Sequence, residues 1–285
     1  MNDNLKKTPL NCPCRGQYLT RVFYYDVPPE GETRFTLTAG DRYYREIWQC
    51  QICHHFISLT DLDLSNLYQE NYVSSTYGEK GIKETFERII SLPPEQSDNI
   101  GRVQCIVDFA TQYFPASTFF ENFTPRILDV GSGLGVFPYQ IARHGWNVTA
   151  LDPDPRFVAH ITDAIGVKAV CGDFLELEEN LGEFDIITFN KVLEHVENPV
   201  EMLSISRQYL RKRGSVYIEL PDAEMAMLEG KDREEFFIEH FHIFSMASIS
   251  LLATRSGFTP IAIERLQEPS TKYTLRAFLK IDSDL

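Results

Sequence analysis

What this sequence lacks narrows it before any motif is read. Basic residues are short: 27 Lys and Arg against 41 Asp and Glu leave a formal charge of −14 over 285 residues. A nucleic-acid binder needs a basic face to neutralise phosphates, so this balance argues against a nucleic-acid partner, although a local basic patch can sit on an acidic protein. No apolar run approaches the roughly 20 residues of a membrane-spanning helix, because charges interrupt each within a few positions. The opening MNDNLKKTPLNCPC lacks the apolar core of a secretory signal. The expectation is therefore a cytoplasmic protein with no membrane insertion. No internal repeat or low-complexity segment stands out. What is present is ordinary for a globular protein, 43% hydrophobic and 24% charged, with room for one substantial core and a small appended module.

Three regions differ in texture. Residues 1–60 are rich in Cys, Tyr and Thr, with short strand-like runs at Arg34 to Leu37 and Tyr43 to Trp48. Residues 61–122 read as polar and helical, with apolar residues three and four apart from Lys83 to Ile90 and from Val103 to Tyr113, and Pro93-Pro94 between them. Residues 123–285 alternate. Strands are expected at Arg126 to Val130, Asn147 to Leu151, Lys168 to Cys171, Phe184 to Phe189 and Ser215 to Leu220. Helices are expected through Tyr139 to His144, from about Arg156, and from Val200 to Leu210. Such alternation predicts a doubly wound α/β fold, a mostly parallel sheet covered on both faces. Phe258 to Arg265 and Thr271 to Ile281 then follow one another with no helix between, as in an antiparallel hairpin at a sheet edge.

The strongest local signal is Ile127-Leu128-Asp129-Val130-Gly131-Ser132-Gly133-Leu134-Gly135, a buried strand running into a glycine turn that opens a helix. Glycines there let the backbone approach a ligand closely. The spacing is G-x-G-x-G, not the G-x-G-x-x-G that cradles a pyrophosphate. Asp152 ends the second strand, placed to accept from both ribose hydroxyls of an adenosine. Asp173 follows the third, placed to accept from an adenine amine while Phe174 covers a ring face. Asp129 would sit near a cationic amino group or sulfonium. Acidic groups gathered round a cationic ligand make electrostatic sense, whereas round a pyrophosphate they would repel it. The plain structural alternative is a packing turn, with Asp152 and Asp173 as helix caps.

These residues, with Phe184 to Val196 (FDIITFNKVLEHV), resemble the successive motifs of class I S-adenosylmethionine-dependent methyltransferases. The resemblance implies a seven-stranded Rossmann-like sheet with an antiparallel last strand over about residues 125–285. It implies that Asp129, Gly131, Ser132, Gly133, Gly135, Asp152, Asp173 and Phe174 bind S-adenosylmethionine, with Asn190 and Leu193 lining the same pocket.

Cys12 and Cys14 form one cysteine pair and Cys50 and Cys53 another. Four thiolates in two knuckles suit a tetrahedral zinc site, which would anchor a segment too small to bury its own core. The first pair has a single intervening residue, Pro13, and His54 or His55 could substitute for a ligand. Cys50-x-x-Cys53-His54 also matches a c-type haem attachment signature, but that chemistry belongs to exported proteins and leaves Cys12 and Cys14 unexplained. Cys105 and Cys171 lie in apolar runs and read as core residues. A cysteine-pair ribbon, then Leu67 to Tyr72, a helical stretch and a methyltransferase core resembles methyltransferases of sugar and polysaccharide biosynthesis, including sugar C-methyltransferases.

In an open parallel sheet, ligands bind beyond the carboxyl ends of the strands, so the acceptor chemistry should come from the segments that follow them. Phe237-Ile238-Glu239-His240-Phe241-His242-Ile243-Phe244-Ser245 resembles the Tyr-His-Glu-His-x-x-Tyr-Phe-Ser segment of sugar C-methyltransferases. By position, that resemblance makes Glu239 and His240 the catalytic pair, with His240 as base. Phe237 replaces the tyrosine, which leaves O-methylation open. Glu194-His195 reads as a turn that shapes the cofactor pocket, and Tyr72 and Tyr77 as closing over the cofactor or packing. The expected reaction is methyl transfer to a small polar acceptor, a nucleotide sugar or polysaccharide unit. The alternatives are O-methylation of another small metabolite of quinone or polyketide type, or an inactive cofactor-binding zinc-ribbon scaffold.

Overall fold

The computed structural model describes residues 10–16, 18–33, 42–62, 64, 78–114 and 124–282. Arg34 to Leu37, Leu67 to Tyr72, and Tyr77 lie outside them. The first three strands, β1 (Leu19–Tyr25), β2 (Arg45–Cys50) and β3 (Phe56–Thr60), form an antiparallel ribbon near the N-terminus. Two helices follow, α1 (Gly78–Ile90) and α2 (Asp98–Tyr113). Ser97 starts α2 by accepting from the backbone N–H of Ile100.

The body is a seven-stranded sheet of β4 (Arg126–Val130), β5 (Asn147–Asp152), β6 (Lys168–Cys171), β7 (Phe184–Asn190), β8 (Leu210–Pro221), β10 (Phe258–Gln267) and β11 (Tyr273–Ile281). Its spatial order is β10-β11-β8-β7-β4-β5-β6. The five strands from β6 to β8 pair in parallel, and β11 is antiparallel both to β8 and to β10. β7 sits centrally, and its first six residues are all buried, as a strand covered on both faces requires. The strand order turns back between β4 and β7. That is the switch point at which open α/β sheets bind ligands.

Helices α3 (Val136–Ala142), α4 (Pro155–His160), α5 (Pro199–Ile205), α6 (Ala223–Glu229) and α7 (Met246–Arg255) connect the strands. Four of them start on side-chain caps, at Asp154, Asn198, Asp222 and Ser245. α2 packs one sheet face through Val103, Ile106 and Ala110 against Ile127, Ile186, Tyr217 and Phe278. The other face buries Leu128, Ile187, Val216 and Leu252.

The N-terminal ribbon does not stand apart. Its fourth strand is β9 (His242–Ile243), which comes from the segment between β8 and α7 and pairs with β3. Tyr25, Ile47 and Phe56 share one core with Ala223, Phe236, Ile238 and Ile243. Beneath it lies an ion pair with both side chains fully buried: Arg45 Nη2 is 2.7 Å from Glu32 Oε1.

Several expectations shift. The strand expected over Tyr43 to Trp48 lies two residues later. The helix expected to Leu210 ends at Ile205, because a 3₁₀ turn over Ser206–Tyr209 intervenes and Leu210 already opens β8. Cys171 is exposed and Cys105 half-buried, not core residues. β6 is an edge strand, so apolar neighbours in sequence did not imply burial there. Among the described residues no helix is long and apolar enough to cross a membrane.

Candidate active site

The glycine turn caps β4 at the carboxyl end of the sheet. Gly131, Gly133 and Gly135 all have left-handed backbone, at φ 69°, 49° and 73°. A Cβ on Gly131 would fall 2.7 Å from Val192 Cγ2, so glycine keeps the turn pressed against the end of β7. Gly135 serves differently. Its Cβ would strike Ile161 and Ile165, and it lines neither cleft described below, so it permits helix packing.

Two clefts meet at this turn. The first is bounded by Gly131, Gly133, Asp152, Phe157, Asp173, Phe174, Val192 and His195. The second, on the other side, is bounded by Asp129, Ser132, Asn190, Arg102 and Lys191. Asp129 is 1% exposed and accepts from Thr188 Oγ1 at 2.6 Å and Asn190 Nδ2 at 2.7 Å. Asp152 is buried, and its two oxygens accept from the backbone N–H of Gly133 at 2.7 Å and of Asp154 at 2.9 Å. Burial pushes both carboxyls up to about 6 against these hydrogen bonds. Ser132 Oγ donates to the Asp129 carbonyl at 2.9 Å, and Asn190 Oδ1 is buried without a hydrogen-bond partner among the described residues.

The remaining expected residues divide. Asp173 is exposed at the cleft rim, and its Oδ1 accepts from the Leu175 N–H at 2.9 Å. Phe174 borders the first cleft but turns its ring edge-on to Phe189 at 5.7 Å, with only 3% exposure. Leu193 is fully buried in the main core and lines no cleft described here. The 3₁₀ turn it opens points that side chain inward, a placement that strand-end counting could not reveal.

Past β7 the chain makes a recess that sequence reading undervalued. His195 borders the first cleft, this recess and a third, largely apolar one. Its Nδ1 donates to the Glu239 carbonyl at 2.8 Å, and its ring stacks obliquely on His240 at 4.9 Å between centroids. His240 Nδ1 donates to the Glu235 carbonyl at 2.8 Å. Burial lowers both imidazoles, His240 to about 4. Glu194 is 1% exposed, and burial raises its carboxyl. The carboxylate of Glu239 accepts from Thr33 Oγ1 at 3.3 Å, and its carbonyl accepts from His195. His242 lies apart, with Nδ1 3.0 Å from His55 Nε2. Lys191, given no role of its own in the sequence motif that contains it, has left-handed backbone at φ 59° and borders both clefts. Only the fold shows that strain, since nothing in the local sequence marks it.

The cysteines converge. Cys12 Sγ is 2.9 Å from Cys53 Sγ and 3.3 Å from Cys14 Sγ, and Cys14 Sγ is 3.5 Å from Cys50 Sγ. The Gly16 N–H donates to Cys14 Sγ at 3.1 Å, and a Cβ on Gly16 would lie 2.9 Å from that sulfur. His54 and His55 are not in the cluster.

A model of the methyltransferase domain family matches residues 83–263, more than half of the chain. The chain belongs to that family. Its fold is that of the class I methyltransferases. A magnesium protoporphyrin IX methyltransferase from Synechocystis, solved with S-adenosylhomocysteine, superposes with a TM-score of 0.52 at 15% identity, over 75% of this chain and 99% of that one. The Burkholderia thailandensis 1,6-didemethyltoxoflavin-N1-methyltransferase gives 0.52 at 17% identity, over 80% and 95%. At such identities these superpositions speak for the methyltransferase fold alone. Among curated proteins, a mitochondrial ubiquinone biosynthesis O-methyltransferase of Schizosaccharomyces pombe is 29% identical over 119 residues, 39% of this chain and 43% of that protein. Its counterpart in Caulobacter vibrioides is 31% identical over 106 residues, 35% of this chain and 41% of that protein. The chain spans about two-fifths of the length of the curated methyltransferases it matches.

Proposed function

We propose that this protein transfers the methyl group of S-adenosylmethionine to an oxygen of a small acceptor. The observation that carries the reading is the pair of buried carboxylates, Asp129 and Asp152, on either side of a glycine turn at the sheet's switch point. The adenosine lies in the cleft beside Asp152, Asp173 and Phe174, and the methionyl part crosses the turn towards Asp129, Ser132 and Asn190. The methyl then faces the recess of Glu194, His195 and His240. The acceptor oxygen attacks the methyl carbon, the carbon–sulfur bond breaks with its electrons going to sulfur, and the hydroxyl proton leaves into that recess. Most of the acceleration comes from alignment, since the sulfonium is already activated. His240 is the side chain best placed to manage the proton, with Glu239 holding His195 in position through its carbonyl.

The acceptor reading follows the apolar recess that His195 also borders. Leu62, Leu64, Leu175, Ile238 and Phe241 line it with Ser58, Thr60, Glu197 and Glu201, and its described lining contains no Lys or Arg. A nucleotide diphosphate calls for cations or helix N-termini. A hydroxylated acceptor with an apolar body suits this lining better, and the ubiquinone O-methyltransferases among its relatives agree with that choice. The test is release of S-adenosylhomocysteine with a panel of hydroxylated aromatics and of nucleotide sugars. Turnover with aromatics alone is expected; turnover confined to nucleotide sugars would reverse the acceptor assignment.

Cys12, Cys14, Cys50 and Cys53 are proposed to hold zinc. Tetrahedral Zn–S bonds of about 2.3 Å place sulfurs about 3.8 Å apart, so the cluster needs to open by less than about 1 Å. Removing the metal with a chelator, or Cys50→Ser, is expected to lower the melting temperature by about 5 °C or more, read by calorimetry on matched samples. An unchanged melting temperature, with no zinc found in the purified protein, would remove the metal from the fold.

A further inference from the structure

The apolar recess assigned to the acceptor takes much of its wall from the N-terminal ribbon: Leu10, Ser58, Thr60, Leu62 and Leu64 all line it. The two cofactor clefts differ, since their described lining begins at Arg88. Other walls of the recess are Glu197 and Glu201, after β7, and Ile238 and Phe241, before β9. Backbone bonds join these pieces. The Ser58 N–H donates to the Phe241 carbonyl at 3.0 Å, and the Phe241 N–H donates to the Glu194 carbonyl at 2.8 Å.

A pair of fully buried histidines makes a second tie. Burial keeps such rings neutral. His242 Nε2 lies 3.1 Å from the Glu197 carbonyl, which can only accept, so Nε2 carries the proton and Nδ1 presents a lone pair. His55 Nε2, 3.0 Å from that Nδ1, therefore donates to it, and His55 Nδ1 accepts from Ser248 Oγ at 3.2 Å. The cysteine knuckle fixes His55 in turn. The Cys50 N–H donates to the His55 carbonyl at 2.8 Å, and the His54 N–H donates to the Cys50 carbonyl at 2.9 Å. His54 between them has left-handed backbone at φ 55°. The Cys53 carbonyl accepts from Ser245 Oγ, and Leu10 packs against the cluster of Cys12, Cys50 and Cys53.

We infer that His55, set by the cysteine knuckle, positions the walls of the acceptor recess, so that the N-terminal ribbon governs acceptor binding and leaves the cofactor clefts alone. His55 lines no cleft described here. It acts through His242 and the Glu197 carbonyl and is a positioning residue. β9 is only two residues long, so its ladder with β3 is a weak hold on the segment that carries Phe241. Without the His55 donor, His242 Nδ1 is left unsatisfied in a dry site, and a shift of that segment towards water relieves the cost. Phe241 and Glu197, which flank the pair, line the recess and move with it. The bonds that hold Asp152 and Asp129 lie within the sheet and its glycine turn, clear of the ribbon. Opening the cysteine cluster should have the same effect, because it frees His55 and Leu10 together. The consequence for acceptor binding rests on the acceptor reading of the recess, whereas the mechanical coupling does not.

The test compares the full-length wild type with His55→Leu and His55→Gln. Glutamine can place an N–H where Nε2 stands, so His55→Gln should behave as the wild type does. Hydrogen exchange of the ligand-free proteins, read by mass spectrometry, should be faster by about tenfold or more over 195–201 and 237–245 in His55→Leu, and unchanged over 127–135 and 147–152. Binding of 4-nitrocatechol to the complex with S-adenosylhomocysteine, read by its visible absorbance, should weaken by about tenfold or more. S-adenosylhomocysteine itself should bind within about threefold of the wild type. Wild type stripped of metal by a chelator gives the same comparison without a substitution. Exchange that stays unchanged over the recess segments in either comparison, or equal loss of both ligands, would overturn the inference. Wild type that binds S-adenosylhomocysteine but not 4-nitrocatechol would overturn it too, with the methyl-transfer reading intact. A folded sample that binds no S-adenosylhomocysteine would sink that reading instead, and the exchange pattern would still decide the coupling.

Discussion

Replacing Arg45 with Met is expected to destabilise the protein by about 3–5 kcal/mol, the usual cost of stripping one partner from a buried ion pair. Neither side chain of the Arg45–Glu32 pair reaches solvent. Arg45 also donates to the Phe236 carbonyl, and Glu32 accepts from Tyr43 Oη at 2.6 Å and from the Ile238 N–H at 2.8 Å. Without the guanidinium, the Glu32 carboxylate stays buried with no cation, and burial already pushes its carboxyl upward. The effect should reach the recess, because Phe236 and Ile238 flank the turn that carries His240. Denaturant unfolding of Arg45→Met, and of the double variant with Glu32→Gln, measures this. The double variant should recover part of the loss, since it removes the stranded charge. A loss below about 1 kcal/mol in the single variant would show that the pair does not hold the ribbon to the body.

The second large effect concerns the cofactor. Asp152→Ala should weaken S-adenosylmethionine binding by about 100-fold, since hydrogen bonds to a charged group contribute about 1.5–3 kcal/mol each. The same carboxylates make binding depend on pH. Asp129 and Asp152 both titrate near 6 in the folded protein, above the ordinary 3.8. A cationic ligand selects the ionised forms, so affinity should be level above about pH 7. Below about 6 it should fall by up to about tenfold per pH unit for each carboxylate involved. The sign for stability is opposite. Between about pH 4 and 6 the folded protein binds more protons at these sites than the unfolded chain. Their contribution to stability without ligand therefore declines as pH rises through that window, and bound cofactor restores it. Calorimetric titration from pH 5 to 8 separates the two. Affinity that stays constant down to pH 5 would remove these carboxylates from ligand binding.

Much of the fold was legible because local signals and the global pattern agree. The apolar run from Phe184 to Phe189, the glycine turn after Val130 and the paired strands at the C-terminus each have one sensible structural reading. What escaped depended on distant partners. β9 is two residues long, and only its pairing with β3 makes it a strand. Leu193 stands where a cofactor contact is expected, yet the turn after β7 carries its side chain into the core. His195 looked like part of a turn because its partner His240 lies 45 residues away in sequence. The cysteine cluster was readable despite its tight first pair, because the thiol spacing is itself the chemical signal.

The most direct test of the central claim is calorimetric titration of the purified, folded protein at pH 7.5 with S-adenosylhomocysteine and S-adenosylmethionine, with NAD as the control. Saturable one-to-one binding of both adenosyl ligands and none of NAD is the expected result. A folded, metal-replete sample that binds neither adenosyl ligand would contradict it and leave the glycine turn as a packing device.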